Sequence, residues 1–72
     1  MPEVERLSVG DRPINLTQVL KLTGLTGTGG EAKSLISEGR VLVNGEVELR
    51  KRRQLVVGDR IDIEDGPSLI LE

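Results

Sequence analysis

The sequence predicts an α+β domain with two short helices packed on a small, mostly antiparallel sheet of four to five short strands. Three observations carry this expectation. Apolar residues recur at helical spacing through Ala32, Leu35 and Ile36, and Gly39 follows as a stop. Immediately afterwards the period changes to two, with Val41 and Val43 before Asn44-Gly45 and Val47 and Leu49 after it. Two more stretches, Arg60 to Glu64 and Ser68 to Leu71, each follow a turn signal, Gly58-Asp59 and Asp65-Gly66-Pro67.

Taken in order, Val4, Leu7 and Val9 give the first ten residues an imperfect alternation, which predicts a first strand. Asp11-Arg12-Pro13 is a turn, because proline presets its own φ. Asn15 stands three residues before Gln18 as a box-like helix start, and Leu16, Val19, Leu20 and Leu22 follow on one face. Gly24 ends that helix, and Leu25 is expected to pack between the two helices. The second helix opens on Thr28-x-x-Glu31, a capping box in which two side chains satisfy orphan amides, and Gly39 supplies its left-handed stop. Asn-Gly between alternating residues is the strongest short hairpin signal, since a type I′ turn needs positive φ at both positions. Gln54 to Val57 runs into the Gly58-Asp59 turn. Ile61 and Ile63 then point inward, while Asp62 and Glu64 are expected on the solvated side.

Composition removes most chemistries. Seventy-two residues make one small domain. Phe, Tyr and Trp are absent, so the core must be Leu, Ile and Val, with a stability of roughly 5 kcal/mol or less. Without Cys there is no disulfide or thiolate, and without His the commonest general base and zinc ligand are missing. No cofactor, metal or small-molecule substrate is expected, and no enzyme. No apolar run reaches the ~20 residues that span a bilayer, and the start lacks a signal-peptide pattern. The expected place is the cytoplasm. Gly27-Thr28-Gly29-Gly30 precedes a helix, yet it lacks the Lys-Ser/Thr ending of a P-loop and follows a helix instead of a strand.

The net charge is −2, but the charge is polarised. Residues 40–53 hold five cations (Arg40, Arg50, Lys51, Arg52, Arg53) against Glu46 and Glu48, a local +3. Residues 59–72 hold five acids against Arg60, a local −4. Screening cuts contributions beyond about 10 Å, so a polyanion would respond to the local field more than to the sum. Lacking aromatic rings, the chain has no platform for a splayed base, and binding to RNA would rest on phosphates and helix shape.

Thr28-x-x-Glu31-Ala32-Lys33-x-Leu35-Ile36-x-x-Gly39-x-Val41-x-Val43-Asn44-Gly45, with Gly58-Asp59-x-Ile61 thirteen residues past Gly45, resembles a known family. It is the RNA-binding domain named after the fourth protein of the small ribosomal subunit, also called the alpha-L RNA-binding motif. The resemblance covers residues 15–63, within one RNA-binding domain spanning residues 1–72, and is strongest to the small stand-alone bacterial members. It implies two helices and a hairpin-bearing sheet arranged as an L, with the second helix's start, the hairpin and nearby basic residues facing structured RNA of the ribosomal or transfer class. By position it marks Thr28, Gly29, Lys33, Asn44, Gly45, Arg50, Lys51 and Arg52 as RNA-facing. Together with the charge pattern it predicts one basic face of Lys33, Arg40, Arg50, Lys51, Arg52 and Arg53. The chain departs from the family at Asn15-Leu16-Thr17, where Arg-Leu-Asp is common, and at Thr28-Gly29, where Ser/Thr-Arg is common.

Two other classes compete. Residues 41–63 also resemble ubiquitin-like sulfur-carrier proteins, but those require a C-terminal Gly-Gly, and this sequence ends Leu69-Ile70-Leu71-Glu72. A protein-interaction module would use exposed apolar helix faces.

Overall fold

A computed structural model describes residues 4–24, 26–27 and 29–72. Two helices, α1 (Leu16–Leu22) and α2 (Gly29–Ser37), are accompanied by seven short strands: β1 (Val4–Leu7), β2 (Ile14–Asn15), β3 (Val41–Val43), β4 (Glu46–Val47), β5 (Gln54–Leu55), β6 (Arg60–Ile63) and β7 (Ser68–Leu71). Five strands form one sheet in the order β1-β7-β6-β3-β4, and β2 pairs with β5 in a separate two-stranded ribbon. Among the described residues every pairing is antiparallel except β1 with β7, which runs parallel from Val4 opposite Ser68 to Leu7 opposite Leu71. The sheet is therefore mostly antiparallel, as expected. The β2–β5 ribbon was not expected, because a two-residue pairing beside Pro13 leaves no alternation to detect.

Local signals account for the helix ends. Asn15 Oδ1 accepts the Gln18 amide at 2.9 Å and Gln18 Oε1 accepts the Asn15 amide at 2.9 Å, a complete capping box. At the other end of the helical pair, Gly39 has φ +75°. Its amide donates to the Ile36 carbonyl at 3.1 Å, and the Arg40 amide reaches the Leu35 carbonyl at 3.1 Å. These two bonds are the Schellman pattern, which satisfies carbonyls that a helix end would otherwise orphan. Glu31 reaches back from the first turn of α2 and accepts the Gly27 amide at 2.9 Å. Thr28, the expected cap of α2, and Leu25 lie outside the described residues.

The core is aliphatic. Leu16, Val19 and Leu20 of α1 and Ala32 and Ile36 of α2 are fully buried against Val41, Ile61 and Leu69 of the sheet. Ile63 and Leu35 pack at its margin. Leu22 does not join it. At 3.6 residues per turn Leu22 falls off the face that Leu16, Val19 and Leu20 share, and it is 63% exposed.

Candidate nucleic-acid interface

The hairpin sets the geometry of the site. Asn44 and Gly45 have φ +53° and +85°, as a type I′ turn requires. A two-residue turn makes Val43 face Glu46 and Leu42 face Val47. The pairing continues one step further, where the Glu48 amide donates to the Val41 carbonyl at 3.0 Å. Residues directly opposite share a face of the sheet. Glu48 consequently falls on the core side with Val41, while Val47 and Leu49 point to solvent at 55% and 59% exposure. This corrects the alternation expected for the second strand, where Val47 and Leu49 were grouped with Val41 and Val43.

The inward Glu48 is 6% exposed and fully partnered. Its Oε2 accepts the Arg50 amide and Arg50 Nε, both at 3.1 Å, and its Oε1 accepts Arg50 Nη2 at 3.0 Å and Arg53 Nη1 at 2.7 Å. The Arg50 and Arg53 guanidinium groups hold this carboxyl down at about 2, against the opposing effect of burial. Two cations of the basic run are thus tied to an acid whose charge along the chain merely subtracts from theirs.

The backbone of the run is anchored as well. The Leu16 amide donates to the Arg53 carbonyl at 3.1 Å, and Thr17 donates to the Lys51 carbonyl through its amide at 3.2 Å and Oγ1 at 2.8 Å. With Gln18 capped by Asn15, the first three amides of α1 are all satisfied. The run is thus both a loop and the N-terminal lid of α1. Lys33 of α2 meets it across a broad open concavity lined also by Leu49, by Arg50, Lys51, Arg52 and Arg53 of the run, and by Gln54. Among the described residues, Lys33, Lys51 and Arg52 form no ion pair.

The other candidates lie elsewhere. Arg40 is exposed at the entry to β3, where its carbonyl accepts the Glu64 amide at 2.8 Å, and it does not line the concavity. Asn44 spends its side chain internally, donating from Nδ2 to Asp59 Oδ1 at 3.0 Å and accepting the Arg60 amide at 3.0 Å. Gly45 is exposed at the hairpin tip and Gly29 opens α2, while Thr28 lies outside the described residues. Asp62, expected to be simply solvated, is half-buried. It accepts from Ser68 Oγ and Arg60 Nε, and the Ser68 hydrogen bond leads in lowering its pKa. Among the described residues no helix is long and apolar enough to cross a membrane.

The family model for the S4 domain matches residues 7–71, which extends past the 15–63 of the sequence resemblance at both ends. The chain belongs to the S4 domain family. Among curated relatives, this S4 domain is 45% identical over 58 residues to the probable ribosome maturation protein RlbA of Bacillus subtilis (strain 168), covering 81% of this chain and 82% of that protein. It is 44% identical over 55 residues to YbcJ of Escherichia coli (strain K12), covering 75% and 79%. The solution structure of E. coli YbcJ, described as revealing an alpha-L motif involved in RNA binding, superposes with a TM-score of 0.74 at 38% identity over 99% of this chain and 90% of that one. The S4 domain described here thus has the alpha-L fold.

Proposed function

We propose that this S4 domain binds structured RNA, of the ribosomal or transfer class, without catalysing a reaction. The observation that carries this is the convergence of Lys33 with Lys51 and Arg52 on one concave surface whose backbone is fixed by α1. RlbA's name as a ribosome maturation protein and the RNA-binding motif described for YbcJ support the same class of partner. Arg50 also lines this concavity with its side chain 74% exposed, so it can approach a phosphate while paired to Glu48. This activity would be exercised in the cytoplasm. The domain would act as a single unit spanning the chain.

Phosphate contacts release condensed counterions, so affinity should fall steeply with salt, by about 0.7 to 0.9 in log–log slope per phosphate neutralised. Changing Lys33, Lys51 and Arg52 together to Ala should weaken binding to a GC-rich RNA hairpin and flatten its slope by about 2, with little change in melting temperature. The hairpin should also bind better than poly(U) of equal length, since no ring is present to stack on free bases. A salt titration of both proteins on both RNAs tests this. Equal affinity of wild type and triple variant for the hairpin would refute the basic face. No binding by wild type at low salt would shift the function to protein interaction.

A further inference from the structure

Glu48 poses a problem for a surface that binds a polyanion. An acid two residues before a cationic run subtracts from the local field, and a small aliphatic core has little reason to take in a carboxylate. Its four hydrogen bonds all go to residues 50 and 53, so it ties together the two ends of the basic loop. The Arg53 amide also donates to the Arg50 carbonyl at 3.3 Å, which closes a turn between them. The two cations inside that turn, Lys51 and Arg52, are exposed and form no ion pair among the described residues.

We infer that Glu48 is a positioning residue for the RNA-binding face: it holds Arg50 and Arg53 so that the turn presents Lys51 and Arg52 beside Lys33, and it keeps Arg53 as an internal strut. The inference rests on the RNA-binding reading above. It divides the basic run into two kinds of cation. Lys51 and Arg52 meet phosphate, whereas Arg53, which lines the same concavity with its side chain only 30% exposed, is held to Glu48 and braces the turn. Arg50 serves both ends, since its guanidinium is bonded to Glu48 on one edge and open to solvent on the other.

Positioning and simple electrostatics predict opposite signs for one substitution. Glu48→Gln removes a negative charge from the basic face at nearly constant volume. If only the summed field mattered, hairpin affinity would rise, and a released Arg53 would steepen the salt slope by about 0.7 to 0.9. If Glu48 positions the loop, affinity falls in spite of the added positive charge, by about tenfold, as for other coupled polar networks. Lys51→Ala should then weaken binding less in the Glu48→Gln background than in wild type, because the turn no longer holds Lys51 in place.

The experiment is a salt titration of the full chain on the GC-rich RNA hairpin, with the folded state of each variant checked by circular dichroism. Arg53→Gln and Arg52→Gln are measured alongside, so that the outcome does not depend on Glu48→Gln folding. Arg53→Gln is expected to lower affinity with an unchanged slope, whereas Arg52→Gln should flatten the slope by about 0.7 to 0.9. Equal or tighter binding by folded Glu48→Gln would overturn the inference. So would an equal loss of slope in Arg53→Gln and Arg52→Gln, which would make Arg53 a phosphate contact. Failure of the RNA-binding reading itself is distinct, because there the wild type does not bind the hairpin at low salt.

Discussion

Acid should unfold this domain through Glu48 in particular, and the expected size of the effect follows from its surroundings. The carboxyl titrates near 4.5 when free of the fold and is held at about 2 by Arg50 and Arg53. A depressed folded-state pKa contributes stability that is fully present above about 4.5 and lost as pH falls through about 2. At about 1.4 kcal/mol per pH unit the full interval corresponds to about 3 kcal/mol. Arg50 is 74% exposed, so water and salt weaken that partner, and about 2 kcal/mol is the better expectation. For a domain of this size that is a large share of the total. The assay is urea denaturation of wild type and Glu48→Gln at pH 7, 4, 3 and 2. Circular dichroism must follow it, because no Trp or Tyr is present. Urea is preferred to guanidinium chloride, whose ions would screen the pair. Wild type should lose about 2 kcal/mol more than Glu48→Gln between neutral pH and pH 2, and the two should converge at the acid end. Parallel stability curves for the two proteins would refute the assignment of the shift to this site.

Two further outcomes test local structure. Gly45→Val places a β-branched residue at φ +85°, which should cost about 1–2 kcal/mol and lower Tm by roughly 5–10 °C; an unchanged thermal melt would count against the type I′ turn. Asn15→Ala removes the acceptor of the Gln18 amide and should cost about 1 kcal/mol in urea denaturation, while Asn15→Asp, which keeps the acceptor, should stay close to wild type.

Much of the architecture was legible along the chain because its signals are short-range. The Asn15–Gln18 box, the Gly39 stop and the Asn44-Gly45 turn each involve residues at most five positions apart, and each appears as expected. The last strand, Ser68–Leu71, also appears with its expected limits. The inward placement of Glu48 was legible too, but only by counting pairs outward from a two-residue turn, Val43 with Glu46 and then Val41 with Glu48. Hydrophobicity pointed the other way, since Val47 and Leu49 are the apolar residues of that strand. Turn geometry outranks side-chain preference here because a slip of one residue would break the Asn-Gly turn itself.

The sequence by itself determined the two helices, the Asn44-Gly45 turn, the last two strands, the aliphatic character of the core and the concentration of positive charge in residues 50–53. These follow from local backbone preferences and from composition, which no folding can alter. Only the tertiary structure decided what that charge does. The carbonyls of Lys51 and Arg53 become acceptors for the start of α1, a contact spanning 34 residues for Thr17 and Lys51. β1 runs parallel to β7 from the opposite end of the chain. Lys33 joins the run while Arg40, closer to it in sequence, does not. A linear charge count treats the four cations of the run alike. They differ because burial of Glu48 lowers the dielectric around one acid and holds Arg50 and Arg53 to it, and that burial exists only once the sheet has formed.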